Sequence, residues 1–227
     1  MKGREELRSV RALFFDLDGT LLDSLPGIRY SAEAAFAACG LARGEVDLRG
    51  LIGPPIRTIL AKMSRGASEG ELDALERAFR VSYDSEGWKK TPHYAGAPEM
   101  LRALKAEGKR LFVVSNKPRH ISTRILEAEG TLGLFDEVVT RDSREPAYAD
   151  KLEILVHLLR KWEMRAEECV LVGDTIEDAE AALHAKMRFY LMTHGYGDVP
   201  LGSSIPVAFR FGHFSELMPG PAEEQGH

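Results

Sequence analysis

Leu13-Phe14-Phe15-Asp16-Leu17-Asp18-Gly19-Thr20 is the stretch on which the fold turns. With Ala12 before it, the segment starts as an apolar run of strand length and then breaks into two acids, a glycine and a hydroxyl. A strand buried on both faces reads as a continuous apolar run, which is the mark of a parallel sheet covered on both sides. Such sheets bind ligands beyond the carboxyl ends of their strands. Asp16 and Asp18 therefore stand where a pocket is expected.

Working outward, similar apolar runs recur at 111–114, 138–139, 170–172 and 189–192, with a further candidate edge strand at 206–211. Between them lie segments of helical spacing at 97–107, 118–129, 151–162 and 177–186. This alternation predicts an α/β fold, a doubly wound parallel sheet with helices on both faces. One stretch breaks it. From Ser24 to His93 there are only three helical patterns, 27–39, 56–63 and 69–86, separated by Gly- and Pro-containing turns. An inserted helical cap at 23–94 follows, with the core built from 1–22 and 95–227 and hinges near 22–26 and 92–96.

Two further strand ends carry chemistry. The second strand runs into Ser115-Asn116 and the fourth into Gly173-Asp174-Thr175-Ile176-Glu177-Asp178. A carboxylate such as Asp16 can attack phosphorus as a nucleophile, and a second, Asp18, can protonate the leaving oxygen and later deprotonate water. Gly19 permits a turn whose backbone N–H groups face an anion. Ser115 can hold a phosphate oxygen or cap the helix after it. Acids gathered at three strand ends repel one another without a cation, and oxygen-only ligands select a hard ion, Mg2+. The plain alternatives are a solvated turn for Asp16 and Asp18, and helix capping for Asp174, Glu177 and Asp178.

Composition narrows the class. Hydrophobic residues at 44% and charged residues at 29% fit a globular chain, and a net charge of -5 argues against nucleic acid or an anionic membrane as partner. No apolar run reaches the roughly 18 residues needed to cross a bilayer. Cys39 and Cys169 have no metal-ligand spacing, and His93, His120, His157 and His184 suggest neither a zinc site nor a triad. A cytoplasmic protein acting on a small molecule is expected, its oligomeric state left open. The tail at 219–227, PGPAEEQGH, reads as disordered.

The ordered set Asp16-Leu17-Asp18-Gly19-Thr20, Ser115-Asn116, Lys151 and Gly173-Asp174 with Asp178 resembles the four motifs of the haloacid dehalogenase superfamily. The helical insertion after the first motif resembles the alpha-helical cap of its phosphoglycolate phosphatase-like members. The resemblance implies a Mg2+-dependent phosphatase with Asp16 as nucleophile and Asp18 as general acid and base. It implies that Ser115, Asn116 and Lys151 hold the phosphoryl group. Mg2+ would be held by Asp16, the Asp18 carbonyl and Asp174, with Asp178 acting through a bound water or by orienting its neighbours. Dehalogenase members carry a different residue at the position of Asp18, so an acid there implies an oxygen leaving group.

Family members often place a proline after the motif lysine, where this chain reads Lys151-Leu152, so Lys117 is a rival for that role. Ile52-Gly53-Pro54-Pro55 with Arg57 resembles the cap loop that faces the nucleophile. Arg57 there either pairs with an anionic substrate group or is simply solvated. The turn His194-Gly195-Tyr196-Gly197 resembles a loop near the family's site, and a plain glycine turn explains it as well. Two rival functions remain: β-phosphoglucomutase-type transfer, and a binding module of this fold without turnover.

Overall fold

The structure, a computed structural model, describes residues 7–218, so the tail at 219–227 lies outside the described residues. Six strands form one parallel sheet in the order β3-β2-β1-β4-β5-β6. They are β1 (Ala12–Phe15), β2 (Arg110–Ser115), β3 (Glu137–Thr140), β4 (Cys169–Gly173), β5 (Arg188–Met192) and β6 (Phe209–Phe211). The expected edge strand is thus real but shorter, confined to its aromatic end. β1 lies at the centre, with Phe15 opposite Val113 of β2 on one side and Val172 of β4 on the other.

Alternate residues of each strand face opposite sides of the sheet, which splits the core in two. Leu13, Phe15, Leu111, Val113, Val170 and Val172 pack beneath α4 (Ala97–Ala106) and α5 (Arg119–Ala128). Ala12, Phe14, Phe112, Val114 and Leu171 pack beneath α6 (Lys151–Lys161) and α7 (Ile176–His184). Phe14 stacks on Phe112 at 4.8 Å between ring centres. Each fully buried ring of this kind contributes about 2–3 kcal/mol over an exposed one. This is the doubly wound arrangement that the strand and helix alternation predicts.

The helical insertion comprises α1 (Leu25–Cys39), α2 (Ile56–Met63) and α3 (Glu69–Ser85), with a short 3-10 turn at Arg49–Leu51 between α1 and α2 and another at Gly87–Lys90 after α3. Ser68 and Glu71 close a capping box that fixes the start of α3. α1 packs against α3, and α2 against α3. The two connections to the sheet run side by side: Asp23 N–H donates to Pro92 O at 2.9 Å and Tyr94 N–H to Leu21 O at 2.9 Å. Among the described residues no helix is long and apolar enough to cross a membrane.

Candidate active site

β1 ends at Phe15, yet the Asp16 N–H still bonds Val172 O at 3.0 Å, so the first carboxylate is held at the sheet's edge. The chain then doubles back, with Leu17 O accepting from Thr20, Leu21 and Leu22 N–H groups at 3.1, 2.9 and 2.8 Å. Gly19 makes this turn at φ 88°, and a Cβ there would strike the Asp174 carboxylate and the Tyr196 ring. A side chain is therefore excluded twice, by backbone conformation and by space.

Asp16 is only 4% exposed. Its Oδ2 lies 2.9 Å from Lys151 Nζ, while its Oδ1 is buried with no partner. The Asp16 carboxyl is pushed up to about 7, by burial first and also by Asp178, Asp174 and Asp18, against the downward pull of Lys151. Lys151 is the first residue of α6, whose N-cap is Asp150, as the sequence suggests. Its Nζ also donates to Asp178 Oδ1 at 2.6 Å. Burial disfavours the Lys151 charge, but Asp16 and Asp178 outweigh it and hold the ammonium above the ordinary lysine value.

Asp174 follows β4 and does not cap α7. Its Oδ1 accepts from Thr20 Oγ1 at 2.9 Å, and its Oδ2 accepts from the Tyr196 and Gly197 N–H groups at 2.7 and 3.2 Å. Burial and the neighbouring Asp178 push it up to about 6, and these hydrogen bonds restrain the shift. Asp178 does cap the helix. Its Oδ2 accepts from Thr175 N–H at 3.1 Å and Thr175 Oγ1 at 2.7 Å, and the Asp178 N–H returns a bond to Thr175 Oγ1 at 3.3 Å. Both Asp178 oxygens are engaged, one by the cap and one by Lys151.

Asp18 Oδ1 accepts from Lys117 Nζ at 2.9 Å and from the Ser24 hydroxyl. Lys117 also donates to Tyr83 Oη at 2.8 Å, a residue of α3, and is buried. Both lysines reach the site: Lys151 sits on Asp16 and Lys117 on Asp18. Ser115 is buried at the end of β2, where its Oγ accepts from Lys117 N–H at 3.3 Å; the N-cap position of α5 is Pro118, which makes no side-chain cap hydrogen bond. The Asn116 amide donates to Gly53 O at 3.3 Å and Glu177 Oε2 at 3.4 Å, tying the cap loop to the rim of the site.

Arg57 is partly exposed and already carries acidic partners. Its guanidinium is gripped by Glu69 and Asp73 at 2.6 Å each and by Glu76 at 3.2 Å, so it clamps α2 to α3. His93 bridges Leu21 O and Thr131 Oγ1 beside the hinge, and His120 faces Asp84.

A family model described as haloacid dehalogenase-like hydrolase matches residues 10–186. The chain belongs to that family. It is similar to a phosphoglycolate phosphatase of Nitrosospira multiformis, 32% identical over 83% of this chain and 86% of the relative. It is also similar to the tyrosine-protein kinase PtkA of Mycobacterium tuberculosis, 32% identical over 83% of this chain and 64% of that protein. Among solved structures, a predicted phosphoglycolate phosphatase from Haemophilus somnus superposes with a TM-score of 0.81 at 27% identity, covering 92% of this chain and 96% of the other.

Within this haloacid dehalogenase-like hydrolase, the carboxylates of Asp16, Asp174 and Asp178 offer oxygens within 4.8 Å of one another, all buried. A hard divalent ion fits this donor set, and the partnerless Asp16 Oδ1 is the observation that calls for one. Asp16, Asp174 and Asp178 are the residues that could hold it. The 194–197 turn, which the sequence leaves open between a site loop and a plain glycine turn, reaches the site through its backbone N–H groups on Asp174. Its signal was a Gly-x-Gly directly after a strand end. Arg49, from the cap, donates to His194 O at 2.7 Å and Gly195 O at 2.8 Å, and a Cβ on Gly195 would collide with Asp174. The Tyr196 hydroxyl reaches the hinge, donating to Asp23 Oδ1 at 2.8 Å and accepting from Leu25 N–H at 2.8 Å.

Proposed function

We propose that this chain hydrolyses a small-molecule phosphate monoester with Mg2+, through a phosphoryl group carried on Asp16. The observation that supports this most is the buried Asp16 carboxylate, one oxygen held by Lys151 and the other unpartnered among three acids. Mg2+, held by Asp16, Asp174 and the Asp18 carbonyl, would offset the charge of phosphate and carboxylate. Asp16 attacks phosphorus, and the ester P–O bond breaks as Asp18 gives its proton to the leaving oxygen. Asp18, now a carboxylate, takes a proton from water as that water attacks the phosphoryl group, freeing phosphate and restoring Asp16. Ser115, Asn116 and Lys151 position the phosphoryl oxygens, and Lys151 stays charged throughout.

Residues 23–94 act as the cap, closing over the site on the two paired connections to the sheet. Tyr83 on Lys117 and Arg49 on the 194–197 turn are the contacts that closure makes. A reducing, cytoplasmic setting is supported by two free cysteines, Cys39 and Cys169.

Phosphate release from a panel of monoesters, in Mg2+ and in EDTA, tests the proposal. Release in Mg2+ that EDTA abolishes is expected. Silence across the panel would overturn it, and turnover only with a bisphosphorylated sugar primer would favour β-phosphoglucomutase-type transfer.

A further inference from the structure

Beside Asp18 lies a cleft of about 140 Å3 between cap and core. Its walls are Ile28, Ile52, Ile59, Phe79 and Ile121, each less than 9% exposed in the protein as a whole. Asp18 and Lys117 form the end nearest the chemistry, with the Tyr83 ring under the ammonium at 4.8 Å. If Asp18 protonates the leaving oxygen, the group attached to that oxygen must occupy this cleft.

The charges around it are already matched. Lys117 pairs with Asp18 at 2.9 Å and Arg80 with Glu76 at 2.7 Å. Arg57, the remaining cation of this part of the cap, has three carboxylates around it. The lining holds three acids, Asp18, Glu76 and Asp84, against two bases, Arg80 and Lys117. With Asp18 carrying the proton it donates, the Lys117 ammonium stays on the Tyr83 hydroxyl and ring, so a carboxylate carried past it into the cleft would meet apolar walls and no other unpaired cation, and burying it unpaired is costly. A ring would meet what it needs: apolar walls and a volume close to the ~150 Å3 of an apolar cavity that takes up one benzene.

We infer that the group this enzyme releases is uncharged, apolar and ring-sized, so that its substrates are aryl or comparably apolar phosphate monoesters rather than short phosphorylated hydroxy acids. This rests on the phosphatase reading above and gives it a substrate class. The bond broken is the P–O ester bond; phosphorus passes to Asp16 and the ring oxygen takes the Asp18 proton.

Binding of two non-hydrolysable phosphonates to the wild-type protein in Mg2+, followed by calorimetry, separates the classes. Benzylphosphonate is the isostere of phenyl phosphate, and 3-phosphonopropionate that of phosphoglycolate. Burial of one ring is worth on the order of ten- to a hundredfold in affinity, so benzylphosphonate is expected to bind tighter by about that factor. Equal or weaker binding, or no binding of either, overturns the inference. Ile56→Lys places an unpaired cation on the half-buried rim of the cleft. It should shift the ratio at least about tenfold toward 3-phosphonopropionate, and an unchanged ratio would also overturn it. Turnover separates the two levels. A higher kcat/KM for phosphoglycolate than for phenyl phosphate sinks the substrate class and leaves the phosphatase standing. Preferred binding of benzylphosphonate with no hydrolysis of phenyl phosphate leaves the ligand class standing and sinks the phosphatase.

Discussion

Asp16→Asn is expected to lose at least about 10^4-fold in kcat while gaining stability in EDTA at pH 8. The loss follows from chemistry, because an amide keeps the shape but is no nucleophile toward phosphorus, and removal of a covalent nucleophile costs factors of this order. The gain follows from burial. Burial holds the Asp16 carboxyl at about 7, above the ordinary Asp value of 3.8. The folded state therefore binds more protons than the unfolded state between those values, and stability falls as pH rises through that window. A neutral asparagine escapes this loss. On the order of 1 kcal/mol, or roughly 2–4 °C in Tm, is expected at pH 8, discounted because Lys151 also loses a partner. At pH 5, partway down that window, the advantage should be smaller than at pH 8. Thermal melts in EDTA at the two pH values check it; a variant less stable than wild type at pH 8 would contradict the burial argument.

Lys151→Ala is expected to lose activity about 10^2–10^3-fold and to destabilise the fold by about 3 kcal/mol. Lys151 is 6% exposed in its side chain and is the ammonium between Asp16 at 2.9 Å and Asp178 at 2.6 Å. Without it two buried carboxylates face each other, and breaking a buried ion pair by removing one partner costs on this scale. The activity loss matches removal of one electrostatic donor at the reacting centre. The pH dependence gives a separate signature. Since Lys151 lowers the Asp16 value, its removal should raise it further and move the acid limb of the kcat/KM profile to higher pH. Denaturant melts and a pH–rate series measure both. An unmoved acid limb would show that Lys151 acts only as scaffold.

Much of this could be read from the chain before any fold was in view, because its main signals are local. The apolar run before Asp16 gave β1 to the residue, and the three cap helices begin and end within two residues of their apolar periodicity. Helix C-termini were less legible. The 177–186 pattern stops at His184 because the chain turns into a left-handed residue at Lys186, φ 59°, which apolar spacing does not report. Pairings between distant residues were not legible at all. Strand order is one, and the Lys117–Asp18 contact is another, since they are 99 positions apart. Arg57 looked available because its three acidic partners lie 12 to 19 residues away on another helix. Asp178 had two readings set against each other, capping and site; one of its oxygens takes the Thr175 cap and the other the Lys151 ammonium. The 194–197 turn was set aside because what it contributes is backbone N–H groups, which no side-chain pattern marks.

The most direct test of the central claim is a rapid acid quench of wild-type protein during turnover of a monoester that it hydrolyses in Mg2+, followed by mass mapping of its peptides. A phosphoryl group on the peptide carrying Asp16, assigned to that carboxylate and missing in Asp16→Asn, is the predicted result. Phosphate on any other residue, or full turnover by Asp16→Asn, would contradict the account.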